Sequence, residues 1–188
     1  MNKTCVALTE EQFKEIIKAM RSGFTGARPN NRIATALMLE ANLGIRISDI
    51  LRLRLSDIVR DGDRYRLSII EKKTQKKRNF TVPVALYQFI KIYCMDNGIA
   101  EDEIIFPITE CAVQKQLRIV CNHLGYKGIS THSFRKMYAS TIYKDSGYNI
   151  ALVQRLLQHS SPSVTQRYIS IESKEIEAAI ESHLKLDI

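Results

Sequence analysis

Acidic residues are in short supply in this 188-residue chain: 20 aspartates and glutamates face 28 lysines and arginines, for a formal net charge of +8. The shortage is uneven. Residues 172–188 carry a net −3, which leaves +11 on residues 1–171. A body this basic favours a polyanionic partner, and the acidic tail calls for a different task. Charge alone also fits a basic protein that is merely soluble. Cysteines are few and scattered. Cys5, Cys94, Cys111 and Cys121 form no C-x-x-C pair and have no histidine pairing nearby, so they offer no zinc site. They read as reduced, mostly packing residues of a cytosolic protein. Long apolar runs are missing as well. The longest, Ile33 to Ile45, is broken by Glu40 and Asn42 and is too short to span a bilayer. Met1 to Cys5 lacks the apolar core of a secretory signal. The expectation is a soluble, cytoplasmic protein without a membrane partner.

What is present is one domain's worth of chain, 45% hydrophobic, long enough to bury a core. No low-complexity tract, internal repeat or dividing linker interrupts it. Thr9-Glu10-Glu11-Gln12 has the form of a capping box and predicts a helix from about Glu10 to Arg21, with Phe13, Ile16, Ile17 and Met20 at helical spacing. A second helix, about Arg32 to Leu43, should end at Gly44. Ser48 is placed to cap a short helix through Leu53. Strand character is confined to one region. Asp61-Gly62-Asp63 signals a turn, Tyr65 to Ile70 alternates, and a basic turn from Lys72 to Lys77 leads to Asn79–Val82, which Pro83 ends. Helices are expected at about Val84–Asn97, Glu110–Leu124, Ser133–Lys144, Ile150–Gln158, Ser163–Ile169 and Ser173–Leu186. The fold class is therefore α+β and mainly helical, with a small antiparallel sheet packed beside a helical body.

Three phrases stand out in order: Gly44-Ile45-Arg46-Ile47-Ser48-Asp49, Thr131-His132-Ser133-Phe134-Arg135, and Leu156 to Tyr168, which places His159 nine residues before Tyr168 across a proline-marked turn. Each alone is weak. Arg46 and Asp49 also fit an i,i+3 surface ion pair worth a few tenths of a kcal/mol. His132 also fits a capping or core histidine, and Tyr168 an amphipathic tyrosine at a helix edge. Together they resemble the catalytic domain of the tyrosine recombinase (phage integrase) family. The likeness covers about Leu8 to Ile188, with all six catalytic positions filled. Gln158 stands where the family more often has glycine, a departure at a helix end rather than at a catalytic atom.

The resemblance implies a metal-independent phosphodiester cleavage that needs no cofactor. Tyrosine forms a covalent phosphoester that stores the bond energy for rejoining. Arginine forks bind two phosphate oxygens and stay charged. A lysine or histidine supplies the leaving oxygen's proton. On that reading Tyr168 is the nucleophile and Arg46 and Arg135 clamp the scissile phosphate. His132 handles the tyrosine's proton, His159 bonds the phosphate, and Asp49 orients Arg46. Losing either arginine should cost on the order of 3–4 kcal/mol of transition-state stabilisation. The catalytic lysine belongs on the turn between two strands. Lys73, just before Thr74, fits best and Lys76 second. Lys72, Lys76, Lys77 and Arg78 would contact DNA, and the whole run also fits a solvated basic hairpin that touches phosphates without chemistry.

The family's usual N-terminal clamp domain does not fit before Leu8. That leaves an isolated catalytic domain or a short recombinase similar to the fimbrial phase-switch invertases. The implied partner is double-stranded DNA, bound by a homo-oligomer (a tetramer) at the nucleoid. In the tail, Ile176, Ala179, Ile180 and Leu184 form an apolar stripe that suits docking on a neighbouring subunit, or packing on its own domain. The function implied is site-specific recombination by integration, excision or inversion. Two alternatives remain: a catalytically idle DNA-binding regulator on the same fold, and relaxation of the type IB topoisomerase kind.

Overall fold

A computed structural model describes residues 6–158 and 165–166. Helix α1 (Glu10–Ser22) begins where Thr9 and Gln12 cap each other reciprocally, with both backbone-to-side-chain bonds at 3.1 Å. Its Ile16, Ile17 and Met20 are buried, and Phe13 meets Phe134 edge-on. Helix α2 (Asn31–Leu43) is the central element. Ile33, Ala34, Ala36, Leu37, Leu39 and Leu43 bury most of its circumference, and it packs against α1 and α6.

Gly44 ends α2 in the left-handed region, at φ 59° and ψ 21°. Ile45 is fully buried, and the short helix α3 (Ile47–Ile50) follows. It stops three residues short of the expected Leu53, whose carbonyl accepts the Ile105 amide at 2.9 Å while Arg54 bridges Ile104, and a 3-10 turn (Leu55–Asp57) follows.

The sheet has three strands, one more than the sequence suggested. Strands β1 (Ile58–Asp61), β2 (Arg64–Ile70) and β3 (Lys77–Val82) form an antiparallel meander with Ile58 opposite Leu67 and Ile70 opposite Lys77. Strand β1 escaped notice because only Ile58 of its four residues is buried, so it shows no alternation. The basic turn is correspondingly shorter than expected. Lys77 already pairs within β3, and the reversal runs from Glu71 to Lys76, closed by the Glu71 amide on the Lys76 carbonyl at 3.0 Å.

Helix α4 (Val84–Asp96) returns across the sheet, and Tyr87 stacks on Tyr65 at 3.7 Å. Helix α5 (Glu110–His123) is capped by Thr109. Helix α6 (Thr131–Asp145) starts two residues earlier than expected, with Ser133 Oγ accepting the Ser130 amide, so His132 lies in its first turn. Helix α7 (Ile150–Leu157) packs on α6 through Ala139, Val153 and Leu157. The helices expected over 163–169 and 173–186 fall largely or wholly outside the described residues. Cys94 and Cys121 are packing residues as expected, and burial pushes the Cys121 thiol up to about 11. Cys111 instead is exposed on α5, and Cys5 lies outside the described residues. Among the described residues no helix is long and apolar enough to cross a membrane.

Gly44 is required twice over. Its backbone is left-handed, and a methyl group there would overlap the Tyr138 ring. Gly44→Ala is expected to destabilise the fold by about 2–4 kcal/mol, read as a lower urea midpoint at unchanged slope.

Candidate active site

The site is assembled where α2 ends, where the β2–β3 turn reverses and where α6 and α7 meet. The sharp exit at Gly44 and the buried anchor of Ile45 place Arg46 as the residue preceding α3. Its guanidinium is partly exposed, and Nη1 donates to Glu71 Oε2 at 2.6 Å. The acid that meets Arg46 is thus Glu71 on the lysine turn, not Asp49 as expected. Asp49 Oδ1 instead accepts the Lys72 backbone amide at 2.8 Å. Each segment carries the acid that holds the other.

Glu71 is fully buried and bonded from three sides, with Thr74 Oγ1 on Oε2 at 2.7 Å and Arg78 Nη1 on Oε1 at 3.0 Å. Burial pushes its carboxyl up, but the bonds from Thr74, Arg46 and Arg78 outweigh it and bring the pKa to about 2. Asp49 moves the other way, raised by burial and by Glu71 against the Lys72 amide and the fields of Arg46 and Arg135.

Arg78 corrects an expectation. Placed by sequence among the DNA contacts, it is 2% exposed. Its Nη1 is on Glu71, its Nη2 reaches the carbonyls of Leu156 at 2.6 Å and Gly44 at 3.4 Å, and its guanidinium lies 5.0 Å from the Phe80 ring. A side chain committed inward in this way has no reach to a phosphate outside. Lys73, Lys76 and Lys77 are exposed on and beside the turn. Lys72 is exposed too and pairs with Glu110 of α5 at 3.6 Å.

On α6, Arg135 is also buried at 1% exposure, with Nη1 on the Gly44 carbonyl at 2.7 Å and Nη2 on that of Leu157 at 3.0 Å. His132 stands on the open side. The protein packed around its base and the positive fields of Arg135, Arg46, Lys73 and Lys136 lower its pKa, so it is neutral at pH 7. Four of the six expected catalytic residues therefore share one electrostatic neighbourhood. His159 and Tyr168 lie outside the described residues. Among the described residues before His159 and between it and Tyr168, the Leu156 and Leu157 carbonyls are held by Arg78 and Arg135, and Thr165 is buried. Gln158 closes α7 in the left-handed conformation at φ 51°, where glycine is unstrained, and its side-chain amide donates to the Lys77 carbonyl at 3.1 Å.

The family model of the phage integrase family matches residues 7–175. The chain belongs to that family. Among its relatives is the probable integrase/recombinase YoeC of Bacillus subtilis strain 168, 34% identical over 157 residues, or 80% of this chain and 83% of YoeC. The tyrosine recombinase XerC of Caldanaerobacter subterraneus subsp. tengcongensis is 24% identical over 93% of this chain and 50% of its own length. The fold of this chain is that of the XerH site-specific recombinase bound to difH substrate, at TM-score 0.69 and 18% identity, over 95% of this chain and 55% of that one. The catalytic domain of bacteriophage HP1 integrase aligns at TM-score 0.66 and 18% identity, covering 95% of both chains. This integrase-family chain thus spans about half the length of the XerC and XerH relatives.

Sequence reasoning missed Glu71. A signal existed, since it is the lone acid at the head of a basic run, Lys72 to Arg78, but a charge run reads as a solvated face. Its depressed pKa gives a signed prediction. Ionised Glu71 should contribute stability that is complete above its unfolded value of about 4.3 and is lost as pH falls toward 2. Glu71→Gln should therefore be less stable than wild type by roughly 3 kcal/mol at pH 6–7. The gap should narrow through pH 4.5–2, measured by urea denaturation across pH.

Proposed function

We propose that the chain is the catalytic part of a tyrosine site-specific recombinase that cleaves and rejoins double-stranded DNA. The observation that carries this reading is the meeting of Arg46, Lys73, Arg135 and His132, drawn from three separated stretches of sequence, within one electrostatic neighbourhood. Tyr168 Oη attacks the scissile phosphorus. The O–P bond to tyrosine forms as the bond from phosphorus to the 5′-oxygen breaks. Neutral His132 accepts the tyrosine's proton, and Lys73 supplies one to the departing 5′-oxygen. Arg46, the open guanidinium, binds a non-bridging oxygen, and His159 bonds the phosphate. Arg135 adds positive charge from behind, and a direct phosphate contact would require it to exchange a carbonyl bond. Rejoining reverses these steps when a partner strand's 5′-hydroxyl attacks the phosphotyrosine.

Lys72, Lys76 and Lys77 then meet DNA phosphates beside the site, so binding weakens steeply with salt. The whole chain works as a single catalytic domain, assembles as a tetramer on DNA with helix 173–186 docked on a neighbouring subunit, and acts at the nucleoid in the cytoplasm.

The test uses nicked suicide DNA carrying the sequence that flanks its own gene, in EDTA. Wild type should form an SDS-resistant protein–DNA adduct and Tyr168→Phe none. An equal adduct in both, or none from wild type when DNA is bound, would contradict the reading.

A further inference from the structure

Among the described arginines of the site Arg46 is the most open, with 18% of its side chain exposed, and its orientation is set from the strand turn rather than from its own helix. A long arginine side chain at a helix start loses considerable rotamer freedom when held in one pose, so something must hold it. The adjacent acid, Asp49, is committed to the Lys72 amide. What reaches Arg46 is Glu71, 25 residues away in sequence, by a 2.6 Å bond to Nη1. We propose that Glu71 is the positioning residue for Arg46 in strand cleavage, with Arg78 as the buried cation that fixes Glu71 in place. This rests on the recombinase reading for the step it serves, though not for the geometry itself.

The arrangement is suited to that task. The two carboxylate oxygens are divided, Oε1 to Arg78 and Oε2 to Arg46 and Thr74, so the carboxylate cannot turn without breaking a bond. Arg78 is held in turn by the Leu156 carbonyl at 2.6 Å, three residues before His159. A guanidinium has five N–H groups, and Glu71 engages Arg46 through one nitrogen, so donors remain for a phosphate. Placed between two arginines, the carboxylate also relieves their mutual repulsion. An Arg46 without it would be repelled by Arg78 and free to swing. A carboxylate beside a phosphate-binding arginine should slightly oppose DNA binding. A role in positioning therefore separates from a role in affinity: removing the charge should leave binding unchanged or tighter while cleavage slows.

Two measurements test this. In the free wild-type chain, NMR of the arginine side chains should give separate, slowly exchanging Arg46 Nη signals that collapse to an average in Glu71→Gln. Averaged signals in wild type, or equally resolved signals in the variant, would overturn the proposal. The wild-type arm stands even if the variant fails to fold. In single-turnover cleavage of suicide DNA, Glu71→Gln should slow adduct formation by about 10- to 100-fold, with DNA affinity no weaker than wild type and part of the rate restored by Glu71→Asp. A rate equal to wild type, or a loss matched by lost affinity, would overturn it. A wild type with a fixed Arg46 that binds DNA and forms no adduct would overturn the recombinase reading and leave the placement of Arg46 standing.

Discussion

Two buried arginines carry the architecture of this site. Arg78 and Arg135 both donate to the Gly44 carbonyl at the end of α2, and between them they take the Leu156 and Leu157 carbonyls at the end of α7. The last carbonyls of a helix have no partner within it and carry its negative pole, so cations are stabilised there. The two helix ends supply the acceptors, and the guanidiniums fasten them together. Burying such charge costs several kcal/mol per ion unless it is compensated. Here the carbonyls and Glu71 provide the compensation. Removing one of these partners would leave a charge buried and unanswered, so these bonds tie the turn, the exit of α2 and the end of α7 together.

The same clustering explains the site's chemistry. Arg46, Arg78 and Arg135 face Glu71 and Asp49 across a small volume, and the acids do not fully offset the bases. An anion arriving at Arg46 meets a surplus of positive charge that the fold has already assembled. Burial and that surplus together keep His132 neutral, since a second proton there would sit beside Arg135, Arg46, Lys73 and Lys136. Preorganised charge of this kind needs no rearrangement as the transition state forms. Asp49 and Glu71, exchanged between the two segments, link the orientation of Arg46 to the shape of the lysine turn, so the groups proposed to bind phosphate and to protonate the leaving oxygen are placed together.

Much of this was legible in the sequence because it is local. The Thr9–Gln12 box, the stop at Gly44 and the strand pair around the basic turn are written in neighbouring residues, and the α+β reading followed from them. The motif positions Arg46, Lys73, His132 and Arg135 were legible through the resemblance. The hidden parts were non-local. The bonds of Glu71 to Arg46, Arg78 to Leu156 and Arg135 to Gly44 join residues 25, 78 and 91 positions apart. A run such as Lys72 to Arg78 looks uniformly solvated, yet its last member turns inward because its guanidinium meets a carboxylate and two carbonyls. The resemblance gives Asp49 to Arg46, but Asp49 Oδ1 is taken by the Lys72 amide that the fold brings to it. Strand β1 was hidden for a simpler reason, since an edge strand with one buried residue has no period to read.

The proposed role of this neighbourhood is to answer the charge of a scissile phosphate through Arg46. It is tested most directly by comparing cleavage of ordinary suicide DNA with DNA carrying a neutral methylphosphonate at the scissile position, for wild type and Arg46→Ala. The substitution should slow cleavage of the phosphate by on the order of 10²–10³-fold and of the methylphosphonate far less. An equal loss on both substrates would contradict it, because Arg46 would then be serving the fold rather than the charge.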